Sequence, residues 1–319
     1  MDKIKGLGKF LLRLAISVVI LTWLFSRIDI GAVLSAFSMI PLPIWLGSFS
    51  LYVFSQILSS VRWFIIGKVL GFGGRFITYL KFYFVGMYFN LFLPSAIGGD
   101  VLKAFFLSRG GNGKLKASYS IVSDRLLGLW AMFIIGAIAS TFSEEGLPGK
   151  WRHLLLFLAI AMTGTALVIP VFSRFISSLN SKLGPGQGLA RRILGMVEYM
   201  LIFWRYPKSL LYGLGLSLLL QLCGMTGAYL LGQGLDIGVG YGFYLSVLPI
   251  IAVLTVLPIS FSGLGVREGG FVFFFQLKGV PIEKAVALSL SVFAIQAAAA
   301  LIGGIGYMAG VHKEAMGEG

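Results

Sequence analysis

The chain has 319 residues, of which 57% are hydrophobic and 12% are charged, and its mean hydropathy is +0.91. Soluble domains carry about twice that charged fraction, so the composition predicts an integral membrane protein. A net charge of +14 would suit nucleic acid, but the Lys and Arg residues are spread through short loops between apolar runs. We therefore interpret the charge as a topology signal and a contact with anionic lipids, and we expect no nucleic-acid partner.

Few side chains are suited to redox or metal chemistry. The sequence has one cysteine, Cys223, and two histidines, His153 and His312, so we expect no internal disulfide, no metal site and no cofactor. The glycine-rich segment 184–188 is neither preceded by a strand nor followed by Gly-Lys-Ser/Thr, which favours a flexible linker over a phosphate loop.

The first predicted span covers residues 6–25. Basic residues precede it, and it is long enough to cross a bilayer, so an uncleaved signal anchor is favoured over a cleaved signal peptide. Residues 27–42 mix charged and apolar positions and end in Pro-Leu-Pro, which indicates an interfacial helix and a turn. A second span is predicted at residues 44–61.

The next apolar run contains a break. Pro94 removes a backbone donor, while Gly98 and Gly99 allow backbone dihedral angles closed to other residues, so we expect the chain to turn inside the bilayer. Past the turn, Asp100 and Lys103 lie on one face of a short helix, close enough to pair. An ion pair at that depth indicates a functional site; the alternative is a structural pair that closes the hairpin.

Basic clusters flank this hairpin, residues 82–107, on both sides. Both are predicted to be cytoplasmic, so the hairpin should enter from the cytoplasm and return to it. The first cluster contains Arg62, Lys68, Arg75 and Lys81, and the second contains Arg109, Lys114 and Lys116.

A third span, residues 117–142, carries Asp124 and Arg125 in its first turns. Adjacent helical positions point to neighbouring faces, so these two charges should have different partners. We expect one of them to reach back to Asp100 or Lys103.

The second half begins with a loop at residues 143–150 that is not net basic and is predicted to be external. A span at 154–172 returns the chain to the cytoplasm. Residues 174–208 are basic and amphipathic, which predicts a linker helix on the inner leaflet. A span at 209–235 follows.

Residues 241–275 repeat the pattern of the first hairpin. A break, small residues and adjacent opposite charges follow an apolar run, and the flanking loops predict entry from the external face. These positions are Pro258, Ser260, Gly263, Gly265, Arg267 and Glu268. A last span, residues 285–307, is rich in Ala and Gly and should pack closely on a neighbour.

The tally of basic residues predicts the topology, because 18 of the 26 Lys and Arg fall in segments assigned to the cytoplasm, 5 in external ones and 3 in the hairpins or the charged span. We expect a multi-pass protein of the cell inner (cytoplasmic) membrane with both termini inside.

The predicted fold is an all-α polytopic membrane protein with about six full spans and two re-entrant broken-helix hairpins. It forms one integral membrane domain, residues 1–319, built from inverted-topology repeats at about 6–142 and 152–310. Such a repeat places a transport site near the midplane. The intramembrane charges balance on this assignment, with Asp100, Asp124 and Glu268 against Lys103, Arg125 and Arg267.

Three motifs in the same order resemble one family. They are Asn-Leu-Phe-Leu-Pro at 90–94 with Gly-Gly-Asp at 98–100, Asp-Arg-Leu-Leu-Gly at 124–128, and Pro-Ile-Ser at 258–260 with Gly-Leu-Gly-Val-Arg-Glu at 263–268. The chain is similar to the flippase-like membrane domain of lysylphosphatidylglycerol synthases and its stand-alone relatives. That family usually has Arg where this chain has Lys103, and often Glu in place of Asp124; Lys cannot make the bidentate phosphate contact of Arg.

The resemblance implies movement of an anionic phospholipid or a polyprenyl-phosphate-linked headgroup between leaflets. Aminoacyl transfer by this chain alone is not expected, since no soluble segment exceeds residues 174–208. A transferase using Asp100 or Glu268 as general base, or a non-catalytic partner of a lipid-modifying enzyme, is the alternative. The sequence is also compatible with a homo-oligomer. The predicted translocation residues are Asn90, Pro94, Gly98, Gly99, Asp100, Lys103, Asp124, Arg125, Pro258, Ser260, Gly263, Gly265, Arg267 and Glu268.

Overall fold

A computed structural model describes residues 29–92, 98–108, 113–143, 147–182, 206–257 and 263–311, with a few isolated positions elsewhere. These residues form helices and connecting turns, with no strand among them, which confirms the all-α prediction. The helices are α1 (Ile30–Met39), α2 (Leu42–Val69), α3 (Phe76–Phe92), α4 (Gly98–Ser108), α5 (Lys114–Phe142), α6 (Gly149–Lys182), α7 (Pro207–Gly234), α8 (Tyr241–Val256), α9 (Val266–Gln276) and α10 (Ile282–Gly306), and a π-helical turn, Tyr307–Val311, continues α10.

Five helical segments are long and apolar enough to cross a membrane, which makes the chain a multi-pass membrane protein. They are Leu42–Val69, Lys114–Phe142, Gly149–Ile169, Pro207–Gly234 and Ile282–Ala309. The predicted first span at 6–25 lies outside the described residues apart from isolated positions. The same holds for most of the predicted linker helix beyond Lys182, including the glycine-rich segment.

Two pairs of shorter helices lie where the broken hairpins were predicted. α3 and α4 form the first pair, which we call hairpin 1, and α8 and α9 form the second, hairpin 2. α4 and α9 have 11 residues each. A helix of that length rises only about 16 Å, roughly half of the hydrocarbon thickness. The two prolines assigned to the breaks, Pro94 and Pro258, lie outside the described residues.

The glycines of the two hairpins have different structural roles. In hairpin 2, Gly263 and Gly265 have φ of 77° and 83°, the left-handed region that favours glycine. Gly98 and Gly99 are instead the first residues of α4, so the unusual dihedral angles predicted for them are wrong. Glycine is needed at 99 because an added Cβ would overlap the carbonyl oxygen of Gly86, where α3 and α4 touch.

Replacing Gly99 by alanine is therefore expected to force α3 and α4 apart and lower the free energy of unfolding by about 1–3 kcal/mol, the usual cost of overpacking. Gly269→Ala is the matched control, because a Cβ on that glycine of α9 meets nothing within 4 Å. Thermal unfolding in detergent measures both. Equal melting temperatures for Gly99→Ala and Gly269→Ala would contradict the close contact.

The helices surround two large apolar cores and a smaller third cluster around Met132, Ile135 and Met225. One core is centred on hairpin 2 and includes Phe243, Phe271 and Phe275. The other is centred on hairpin 1 and includes Trp63 and Tyr79. Between these cores, α2 and α7 pack against each other, α3 packs on α10, and α8 packs on α5. The predicted close packing of the last span occurs on α3, where a Cβ on Gly303 or Gly304 would overlap α3 atoms.

Candidate functional site

A cavity of about 480 Å³ lies between the two hairpins. Hairpin 1 lines it with Asn90 and Leu91, and hairpin 2 lines it with Leu264, Arg267 and Phe271. The remaining polar lining comes from α2, α5, α7, α8 and α10, through Ser48, Tyr52, Ser55, Gln56, Arg125, Gln221, Thr255 and Gln296. Two guanidinium groups thus meet amide and hydroxyl groups in one cavity.

Asp100 joins hairpin 1 to α5. Its carboxylate is 2.6 Å from Lys103 Nζ and 2.7 Å from Arg125 Nη2, and Arg125 Nε donates to it at 2.8 Å. The pair of Asp100 with Lys103 and the reach of Arg125 to Asp100 follow the sequence predictions. Asp100 is in the first turn of α4, where the helix dipole favours a carboxylate. It is buried, whereas half of the Arg125 side chain is exposed to the cavity.

Lys103 is held in an aromatic cage. Its ammonium lies 4.2 Å from the centre of the Tyr83 ring and 5.8 Å from that of Trp63, and its side chain is buried. It is not among the residues that line the cavity. Lys103 is thus placed to orient Asp100 and to stabilise its charge, and a direct role in ligand binding stays a prediction.

Asp124 pairs with Arg62 instead of turning to hairpin 1. Arg62 Nε donates to Asp124 Oδ1 at 2.7 Å, and Arg62 Nη1 donates to Ser217 Oγ at 2.7 Å. The assignment of Arg62 to a cytoplasmic loop cluster is wrong, because it is buried inside α2, which continues to Val69. The uninterrupted apolar pattern after residue 62 was the signal for a longer helix. Neither Arg62 nor Asp124 lines the cavity.

Glu268 and Arg267 organise the start of α9. Glu268 Oε2 accepts the Gly265 N–H at 2.7 Å, which caps the helix, and Glu268 Oε1 accepts from Arg267 Nε at 3.0 Å and from its Nη2. The Arg267 guanidinium lies over the Phe293 ring, 4.4 Å from its centre, and Arg267 Nε also approaches the Ser289 hydroxyl at 3.3 Å. Arg267 therefore faces the cavity with its position fixed on three sides.

Of the other predicted site residues, Asn90 closes hairpin 1 through its side-chain oxygen, which accepts the Gly99 N–H at 2.7 Å. Gly263 packs on Thr255, where an added Cβ would overlap the threonine methyl. Ser260 is buried, with no hydrogen-bond partner for its hydroxyl among the described residues. The roles of Pro94 and Pro258 stay predictions. The site residues that sequence reasoning missed are Arg62 and the cavity amides Gln56, Gln221 and Gln296.

The charges of the site do not balance. Arg62 adds a fourth cation to the three expected, so the charged side chains of the site sum to +1 over the described residues. The excess sits where Lys103 and Arg125 share the single carboxylate of Asp100. Because Arg125 is the exposed member of that group, the cavity is the place where an anion would be stabilised.

The fold and this site define a class: a multi-pass helical membrane protein with a cavity, lined by two arginines among apolar, amide and hydroxyl groups, between two pairs of short helices. Residues 10–304 match the family described as the lysylphosphatidylglycerol synthase transmembrane region, and the chain belongs to that family. The resemblance inferred from the three motifs is thereby confirmed. A comparison with curated proteins gives no match.

Proposed function

We propose that this protein moves an anionic lipid headgroup between the two leaflets of the membrane. The observation that carries the proposal is that Arg125 of α5 and Arg267 of hairpin 2 line one cavity together with neutral amide and hydroxyl groups. Membership of a family named for a lipid synthase supports a lipid as the substrate. Asp100 holds Arg125 in place, and Glu268 holds Arg267.

An inverted repeat is supported by the spacing of the helices. α2 and α7 begin 165 residues apart, at Leu42 and Pro207, and α3 and α8 also begin 165 residues apart. α4 and α9, like α5 and α10, begin 168 residues apart. A nearly constant offset over four helices is typical of an internal repeat, and the change from 165 to 168 occurs across the break of hairpin 2.

The packing of the helices has the same symmetry: when each of these helices is replaced by its counterpart in the other half, the contacts are preserved. α3 packs on α10 as α8 packs on α5, and α4 packs on α5 as α9 packs on α10, while α2 and α7 exchange with each other. Gln56 and Gln221 occupy the same position, the fifteenth, of two 28-residue helices, and both line the cavity. The middle of a spanning helix corresponds to the middle of the bilayer, which is where inverted-repeat transporters bind their substrates.

The same repeat gives the topology that we propose. Hairpin 1 is re-entrant from the cytoplasmic face and hairpin 2 from the external face of the inner membrane, with six full spans around them and both termini in the cytoplasm. The sixth of these spans is the one predicted from sequence at residues 6–25, which lie outside the described residues apart from isolated positions.

The topology is testable at the ends of the hairpins. In a Cys223→Ser background, Ser108→Cys at the end of α4 should react with a membrane-impermeant maleimide from the cytoplasmic face only. Gln276→Cys at the end of α9 should react from the external face only, because the repeats are inverted. Reaction of both probes from the same face would contradict the inverted repeat.

In the proposed mechanism, the phosphate of the lipid joins Arg125 and Arg267 and partly replaces their carboxylate partners, while the lipid chains stay in the bilayer. A bare charge in hydrocarbon costs roughly tens of kcal/mol, and fixed cations and amides lower that barrier by substituting for water. Rocking of the two hairpins would open the cavity to either leaflet in turn.

Reconstitution tests the function. Liposomes that contain the protein and a chain-labelled fluorescent phosphatidylglycerol are treated with a membrane-impermeant quencher. We expect the inner-leaflet label to become accessible faster than in protein-free liposomes. The same test is made with a polyprenyl-phosphate-linked probe. If liposomes with and without the protein gave equal rates for both lipids, the result would contradict translocation and favour a non-catalytic partner role.

A further inference from the structure

The described residues that line the cavity include cations but no acid. Among the described residues that line it, Arg125 and Arg267 are the charged ones, and none is Asp or Glu. The undescribed stretches in the breaks of the two hairpins, within residues 93–97 and 258–262, also lack Asp and Glu in their sequence. The two nearby carboxylates, Asp100 and Glu268, are buried and already bound to cations.

The amount of charge is also informative. Asp100 carries one negative charge and is shared by Lys103 and Arg125, while Arg267 has Glu268 as its own partner. One positive charge is therefore left for a ligand. A phosphodiester, with a single negative charge, matches it, whereas a phosphate monoester carries about −1.5 to −2 at neutral pH.

The remaining polar wall is neutral. It presents the amides of Gln56, Gln221 and Gln296 and the hydroxyl of Tyr52 to the same space as the two guanidinium groups. The Gln296 side chain makes no hydrogen bond to the described part of the chain. Amides both donate and accept, so this wall suits hydroxyl groups, and an ammonium would find no anionic partner there.

We infer that the cavity takes a phosphodiester lipid whose headgroup beyond the phosphate is neutral and bears hydroxyl groups, and that it discriminates against aminoacylated, cationic headgroups. This inference rests on the proposed function and narrows its substrate. The substrate inferred for this chain therefore differs from lysylphosphatidylglycerol, the lipid in the family's description. A glycerophospholipid with a glycerol or sugar headgroup and a polyprenyl monophosphate sugar share this chemistry, and the test distinguishes them.

The test compares three probes in liposomes that contain the full chain: phosphatidylglycerol, its lysyl ester and a polyprenyl-phosphate-linked sugar. We expect at least one of the two neutral-headgroup probes to cross about tenfold faster than the lysyl ester. A rate ratio of about ten corresponds to the loss of one hydrogen bond to a charged group. Which of the two crosses identifies the lipid class. A lysyl ester that crosses as fast or faster would overturn the inference but not the proposed function, whereas no movement of any probe would overturn the proposed function itself.

A single substitution gives an independent test. Gln296→Glu adds a carboxylate to the cavity wall and is expected to raise the rate of the lysyl ester relative to phosphatidylglycerol by about tenfold. Gln296→Met has similar size and no charge, so it should not raise that ratio. The melting temperature in detergent verifies that both variants are folded. A ratio unchanged by Gln296→Glu in a folded protein would overturn the assignment of the headgroup to this cavity.

Discussion

Replacing Arg267 by alanine is expected to reduce lipid translocation in liposomes to the rate of protein-free vesicles. Arg267 is the only cation that hairpin 2 contributes to the cavity among the described residues, and its guanidinium is held by Glu268 and Phe293. Arg125→Ala and Asp100→Ala should have the same effect, since Asp100 holds Arg125 in place. The measurement is the quencher accessibility of an anionic fluorescent lipid.

A loss of translocation must be separated from a loss of folding. Arg267→Ala leaves Glu268 buried without its cation, which costs about 3–5 kcal/mol of stability. Adding Glu268→Gln removes the uncompensated charge and should restore stability without restoring transport. Lys284→Ala is the matched control, because this lysine pairs with Asp236 at an exposed position and should transport normally. Recovery of transport in the Arg267→Ala, Glu268→Gln variant would show that the pair is structural and that the site lies elsewhere.

Replacing Asp124 by alanine is expected to destabilise the protein strongly, by about 3–5 kcal/mol, because it leaves the buried guanidinium of Arg62 without its carboxylate. Chemical unfolding in detergent measures this loss. Ser217 would remain the only partner of Arg62 among the described residues, and a hydroxyl does not neutralise a charge. The prediction from sequence places this residue in the translocation path, and the contact with Arg62 adds a second possible role, support of the scaffold.

The double variant Arg62→Met, Asp124→Leu decides between these two roles. It replaces the ion pair by apolar groups of similar size, an exchange that is often neutral in buried sites. We expect it to recover most of the stability and to retain transport, because neither residue lines the cavity. A double variant that is stable but does not transport lipid would show that Asp124 or Arg62 takes part in translocation.

Much of the helical framework could be predicted because hydropathy and proline breaks act locally. The pair of Asp100 and Lys103 followed from their three-residue spacing on a helix, and the link to Arg125 followed from its depth in the next span. A break, small residues and opposite charges after an apolar run occur in both halves, and this repeated pattern predicted the second hairpin.

Other features depend on contacts between distant segments, and sequence reasoning had no access to these contacts. The apolar residues that follow Arg62 favour a helix that continues past it, but an arginine in such a helix can be exposed or buried, and only the packing of α2 against α5 and α7 distinguishes the two. Likewise, a glycine at residue 99 fits either a turn or a close helix contact, and the position of Gly86 decides for the contact.

The central claim is that the cavity between the hairpins holds the phosphate of a lipid, and the most direct test is an experimental structure of the protein in nanodiscs that contain phosphatidylglycerol or the polyprenyl-phosphate-linked sugar. We predict density for a phosphate within hydrogen-bond distance of both Arg125 and Arg267, with the lipid chains leaving between helices toward the bilayer. Lipid density confined to the outer surface of the helices, with the cavity filled only by water at saturating lipid, would contradict the claim.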